Sequence, residues 1–152
     1  MEIFLKILSG VAIAGLSSWI TVHLSLKRFR TEKWWEKKAQ AYSNLLGVIH
    51  DAKAFAEENL EATCRGRELS DEEDKELRAK SRAAEAEIYR AMDVGAFYLS
   101  PEAIDCLKLY KKESSEAGQD NSWVLYLQED LDATSKCLTS MIELARKDLQ
   151  VK

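Results

Sequence analysis

Apolar positions along this chain fall into two regimes. From Ile7 to Leu26, twenty residues pass without an Asp, Glu, Lys or Arg. At about 1.5 Å per residue such a run is roughly 30 Å long, the thickness of a bilayer's hydrocarbon core, and it reads as a single transmembrane helix. Beyond Leu26 the pattern becomes periodic. Trp35, Ala39, Tyr42, Leu46, Ile49, Ala56 and Leu60 recur at helical spacings, and Leu45, Val48, Ala52 and Phe55 widen the stripe beside them. No proline interrupts the chain between Leu26 and Cys64, so the spanning helix is expected to run on as a stem. A stripe that broad needs several partner helices.

The later segments supply them. Arg65-Gly66-Arg67 ends the stem, and Ser70-Asp71-Glu72-Glu73 has the form of a capping box opening a second helix. That helix is predicted to reach about Leu99, with Leu77, Ala84, Ile88, Ala91, Met92 and Tyr98 on its apolar side. Ser100-Pro101 restarts the chain as N-cap and first helical residue. Ile104, Leu107 and Tyr110 then point inward, and Gly118 to Ser122 forms the last turn. Val124, Leu127, Leu131, Thr134, Leu138, Met141 and Ala145 make a coiled-coil-like seam along a fourth helix. The expected fold is all-α: residues 1–30 form a transmembrane anchor with its basic flank, and residues 31–152 a cytoplasmic four-helix bundle. One proline and six glycines in 152 residues suit that class.

Charge sharpens the picture of the anchor. Residues 27–53 carry a net +4 and residues 54–152 a net −8. Six cations, Lys27, Arg28, Arg30, Lys33, Lys37 and Lys38, follow the apolar run closely, against Lys6 before it. The excess of positive residues on one side predicts an N-terminus outside and a bundle in the cytoplasm. Lys27, Arg28, Arg30, Lys33 and Trp34 are placed to meet lipid headgroups. A cleaved signal peptide, suggested by Ala12-Ile13-Ala14, is opposed by the basic cluster and by the apolar run continuing past that site. The acidic remainder argues against nucleic-acid binding.

Within the span, Gly10, Ala14, Ser17, Ser18, Thr21 and Ser25 share an arc of roughly 100° at about 100° per residue. Small residues so placed let helix backbones approach, which would make the chain a homo-oligomer; the same hydroxyls could instead line a pore. His23 lies off that face and has no ionisable partner within the span, so interface anchoring is its expected role.

Chemistry is scarce. Cys64, Cys106 and Cys137 match neither a zinc pattern nor a disulfide framework, and read as small apolar fillers. His50 and Asp51 are neighbours that diverge on a helix, so they form no catalytic pair. Metalloprotease, nucleophile-elbow and phosphate-loop motifs are missing, as is Glu-x-x-His di-iron spacing. The expectation is a protein that is not an enzyme and uses no cofactor or metal.

Lys27-Arg28-Phe29-Arg30, Trp34-Trp35-Glu36-Lys37-Lys38-Ala39-Gln40-Ala41-Tyr42 and Gly95-Ala96-Phe97-Tyr98-Leu99-Ser100 resemble bacterial single-span membrane proteins with a small cytoplasmic helical domain, of the type seen in phage-defence loci. The resemblance covers most of the chain, includes no functional motif and transfers no site residues. It implies a membrane-acting effector. Two functions follow as expectations. One is a membrane-anchored, self-associating adaptor that engages a cytoplasmic partner. The other is a pore-forming effector triggered through its bundle by a protein or small ligand.

Overall fold

The computed structural model describes the backbone of residues 2–118 and 122–150, and the side chains from residue 18 onward within those ranges. The protein is an all-helical bundle protein. Four helices run α1 (Glu2–Cys64), α2 (Asp71–Val94), α3 (Pro101–Glu116) and α4 (Trp123–Leu149), with a 3₁₀ turn at Gly95–Phe97. The chain divides into two compact units, Met1–Lys37 and Lys38–Lys152. The bundle lies wholly in the second.

Local chemistry accounts for the boundaries. At the end of α1, Gly66 takes φ +64°. The Arg67 amide donates to the Ala62 carbonyl at 2.9 Å, and the Gly66 amide to Thr63 at 3.1 Å. These two bonds make a Schellman stop, whose left-handed residue is glycine because a Cβ is strained there. α2 opens on the expected capping box, Ser70 accepting from the Glu73 amide while the Glu73 carboxylate accepts from the Ser70 amide. Ser100 caps α3, with Pro101 in the first turn. α2 stops at Val94, short of the expected Leu99. The chain there tightens into the 3₁₀ turn, and the Leu99 amide reaches back to the Gly95 carbonyl at 2.7 Å. The turn tucks Leu99 into the core as a buried residue.

α1 buries Tyr42, Leu45, Ile49, Ala52, Phe55 and Ala56. The main core gathers the first four of these with Ile88 of α2, Leu107 of α3 and Met141 of α4. Fully burying a side chain of this size contributes about 1.5–3 kcal/mol. A second, smaller cluster joins Phe55 and Ala56 to Leu127. Aromatic rings close that end of the bundle: Trp123 meets Phe55 edge-on at 6.3 Å and stacks on Tyr126 at 5.4 Å. The Arg78 guanidinium lies 5.6 Å from the Phe55 ring centre.

Tyr42 fastens the other end. Its hydroxyl donates to the Asp148 carboxylate and lies 3.3 Å from the Ser100 hydroxyl, while Lys38 pairs with Asp148 at 3.2 Å. Three helices thus share one polar knot. Burial alone would raise the Asp148 carboxyl, but Tyr42, Ser100 and Lys38 together hold it below its ordinary value.

Several side chains depart from the pattern expected of them. Trp35, expected on the core seam, is half exposed, and burial on α1 begins at Tyr42. Within the bundle, the last turn of α4 meets Lys38 and Tyr42. On α4 the expected seam is rotated. Leu127, Thr134, Met141 and Ala145 are buried, yet Leu131 and Leu138 are half-buried and Val124 is exposed, while Asp130, Ala133 and Cys137 lie inside. Of the three thiols read as fillers, Cys137 is buried and Cys106 half-buried, but Cys64 is exposed.

Leu127→Asp should remove an apolar contact and bury a charge, destabilising the bundle by about 4 kcal/mol or more, whereas exposed Ser140→Asp on the same helix should cost under about 0.5 kcal/mol. Chemical denaturation monitored by circular dichroism checks both. Tyr42→Phe should strip Asp148 of its buried donor and cost about 1–3 kcal/mol in the same measurement.

Candidate functional site

The stem between Ser18 and Lys37 differs from an ordinary surface helix. Trp19, Val22, Leu24, Leu26 and Phe29 are each exposed by half or more, up to 67% at Trp19. Scattered exposed apolar residues are common; successive large ones around a single helix are the pattern of a surface meant to leave water. Trp19 stacks on His23, their ring centres 5.6 Å apart. Ser18, Thr21 and Ser25 of the expected packing face are exposed. The side chains of Gly10, Ala14 and Ser17 lie outside those described, as do the rest of Ile7–Ser17. Among the described residues, no helix is long and apolar enough to cross a membrane. The part of the apolar run whose side chains are described, Ser18–Leu26, is less than half of the roughly 20 residues that crossing takes.

The basic collar is also exposed at Lys27, Arg28, Arg30, Lys33 and Trp34. Two of its cations are tied along the helix: Arg28 to Glu32 at 2.8 Å and Lys33 to Glu36 at 2.6 Å. The Glu36 hydrogen bond and charge hold the Lys33 ammonium above its ordinary value. Such exposed pairs contribute little to stability. They fix the direction of the cations and partly neutralise them.

A second polar locus lies inside the bundle, where no functional residue was expected. Asp130 of α4 is 6% exposed and accepts a 2.6 Å hydrogen bond from the Ser114 hydroxyl of α3. Burial raises the Asp130 carboxyl above its ordinary value, and Ser114 offsets only part of this. Glu85 of α2 is half-buried and also raised, first by burial and then by the negative charge of Asp130, with Arg82 opposing. Burial likewise pushes the Tyr110 and Tyr126 hydroxyls upward, and Asp130 adds to both. Two carboxyl groups facing low-dielectric surroundings can retain a proton that a surface pair would lose. They do not make a metal site: among the described residues, no group of three or more His, Cys, Asp or Glu is arranged to hold an ion.

Asp130 escaped sequence reasoning because a carboxylate in a leucine seam reads as an exposed position. The available signal was its register, three residues after Leu127 and four before Thr134, which places it on their face. No family model matches the chain, and no curated protein or solved structure is significantly similar to it.

The raised carboxyls have a stability consequence of definite sign. The folded state binds these protons more tightly than the unfolded chain, so stability from Asp130 and Glu85 is full below the ordinary carboxylate value of about 4 and falls as pH rises through their higher folded values. Asp130→Asn keeps an oxygen for Ser114 and cannot ionise. Its melting temperature relative to wild type should therefore improve as pH is raised from about 4 towards neutrality. A difference between the two proteins that stays flat with pH would overturn this account.

Proposed function

We propose that the chain is a membrane-anchored, self-associating helical adaptor whose bundle engages a partner on the cytoplasmic side of a bacterial inner membrane. The observation that carries this reading is the exposed apolar stem from Trp19 to Phe29, set immediately beside the basic collar. Water is a poor solvent for such a surface, and lipid is a good one. In this reading Ile7–Leu26 crosses the bilayer, with Lys27, Arg28, Arg30, Lys33 and Trp34 at the headgroups and residues 1–6 outside. Gly10, Ala14, Ser17, Ser18, Thr21 and Ser25 would bring copies together.

A second reading, a pore-forming effector of the phage-defence type, is supported by the exposed hydroxylated positions Ser18, Thr21 and Ser25. It adds one requirement to the first, that this face meets water within an assembly.

Membrane fractions washed in alkaline carbonate should retain the full-length chain, and deletion of residues 2–26 should release it. A full-length chain that washes off would sink both readings. Ala14→Leu should weaken self-association measured in detergent. Ser18→Cys and Thr21→Cys should resist a soluble thiol reagent if the face packs, and react after triggering if it lines a pore.

A further inference from the structure

We infer that Cys106 and Cys137 are a reversible oxidation site, a dithiol that a hydroperoxide converts into a disulfide joining α3 to α4. Their sulfurs lie 3.9 Å apart, although the residues are 31 positions apart in the chain. They come together because Cys106 is on the α4-facing side of α3 and Cys137 is on the buried side of α4. A disulfide needs about 2.0 Å, so the two sulfurs must approach by a further ~1.9 Å. Cys64, by contrast, is exposed and lies at the far end of α1 in sequence.

The two sulfurs are not equivalent. Cys106 is half-buried, which gives a small peroxide a route to it, whereas Cys137 is buried. The Cys106 thiol donates towards the Cys137 sulfur and the Cys137 carbonyl; the contact between the two thiols holds Cys106 below its ordinary value, and the same contact together with burial holds Cys137 above. The greater exposure of Cys106 assigns the order of events. The Cys106 thiolate attacks one oxygen of hydrogen peroxide, the O–O bond breaks, hydroxide leaves, and Cys106 becomes a sulfenic acid. The Cys137 sulfur then attacks the Cys106 sulfur. The S–S bond forms, the S–O bond breaks, and the hydroxyl leaves as water with the Cys137 proton. Overall two thiols are oxidised and one peroxide is reduced to two waters. A small thiol returns the pair to the dithiol by exchange.

The product is an intramolecular staple across the α3–α4 seam. Opening the bundle along that seam would then require a reductant.

The test uses the full chain, reduced and then held in a peroxide-free detergent. Hydrogen peroxide is added to the folded protein, remaining thiols are blocked with N-ethylmaleimide, and the products are mapped by non-reducing peptide mass spectrometry. The expected result is a peptide pair linked through Cys106 and Cys137, with blockable thiols falling from three to the single Cys64 thiol. Dithiothreitol should restore all three. Cys64→Ser should leave the linked pair unchanged, and Cys106→Ser should abolish it. The inference is overturned if Cys106 proceeds to sulfinic acid without a crosslink, or if the only crosslinks run through Cys64 between copies. It is equally overturned if the Cys106–Cys137 pair forms only after denaturation. Because the decisive map is made on the wild-type sequence, a poorly folding variant does not weaken the test.

Discussion

The wide apolar arc of α1 from Tyr42 to Ala56 sets the terms for the rest of the bundle. A helix with one narrow stripe can be satisfied by one neighbour, but Tyr42, Leu45, Ile49, Ala52, Phe55 and Ala56 need cover over a broad angle. α2, α3 and α4 supply it. Their own inward residues, Ile88, Leu107 and Met141, are fully buried against the same core. The boundaries follow from that task. The Schellman stop after Cys64, the capping box at Ser70 and the Ser100 cap each turn the chain back so that another apolar face can reach α1. The 3₁₀ turn at Gly95–Phe97 performs a related service by directing Leu99 inward before α3 begins.

Polar groups enter this core in two different ways. At the Tyr42 end, Asp148 has a hydroxyl donor and a lysine, so its charge is met and its carboxyl stays acidic. At Asp130 the side-chain donor is the Ser114 hydroxyl, and among the described residues no cation pairs with it. A carboxylate held by one hydroxyl in a low-dielectric interior is destabilised as an anion. The first arrangement fastens helices; the second makes bundle stability respond to proton concentration. Their signs oppose one another, since a lowered carboxyl loses its contribution as pH falls and a raised one loses it as pH rises.

The stem poses a different physical problem. Its apolar side chains are numerous, large and exposed, and its cations lie just after them. A lipid environment would satisfy the first group with hydrocarbon and the second with headgroups, which is why the anchor reading accounts for both with one assumption. The pairing of Arg28 with Glu32 and Lys33 with Glu36 leaves Lys27 and Arg30 as exposed collar cations outside those two ion pairs.

Much of the architecture was legible from residue order alone. Helix number, the Ser70 capping box, the Ser100-Pro101 start and the identity of most core residues on α1 and α3 depend on neighbours within a few positions, and local rules reach that far. The extent of burial did not follow from them. Trp35 continues the periodic series but is half exposed, because periodicity says which face a residue is on and not how deeply it is buried. The rotation of the α4 seam, which brings Asp130 and Cys137 inside and moves Leu131 and Leu138 towards the edge, depends on how α3 leans against α4. Neither the Asp130–Ser114 hydrogen bond nor the contact of Cys106 with Cys137 has any signature in spacing. By itself the sequence determined the helices and their apolar faces, since those arise from chemistry along one chain segment. Only the tertiary structure decided which polar and thiol groups meet, because that depends on the packing of segments whose separation in sequence says nothing about their distance in space.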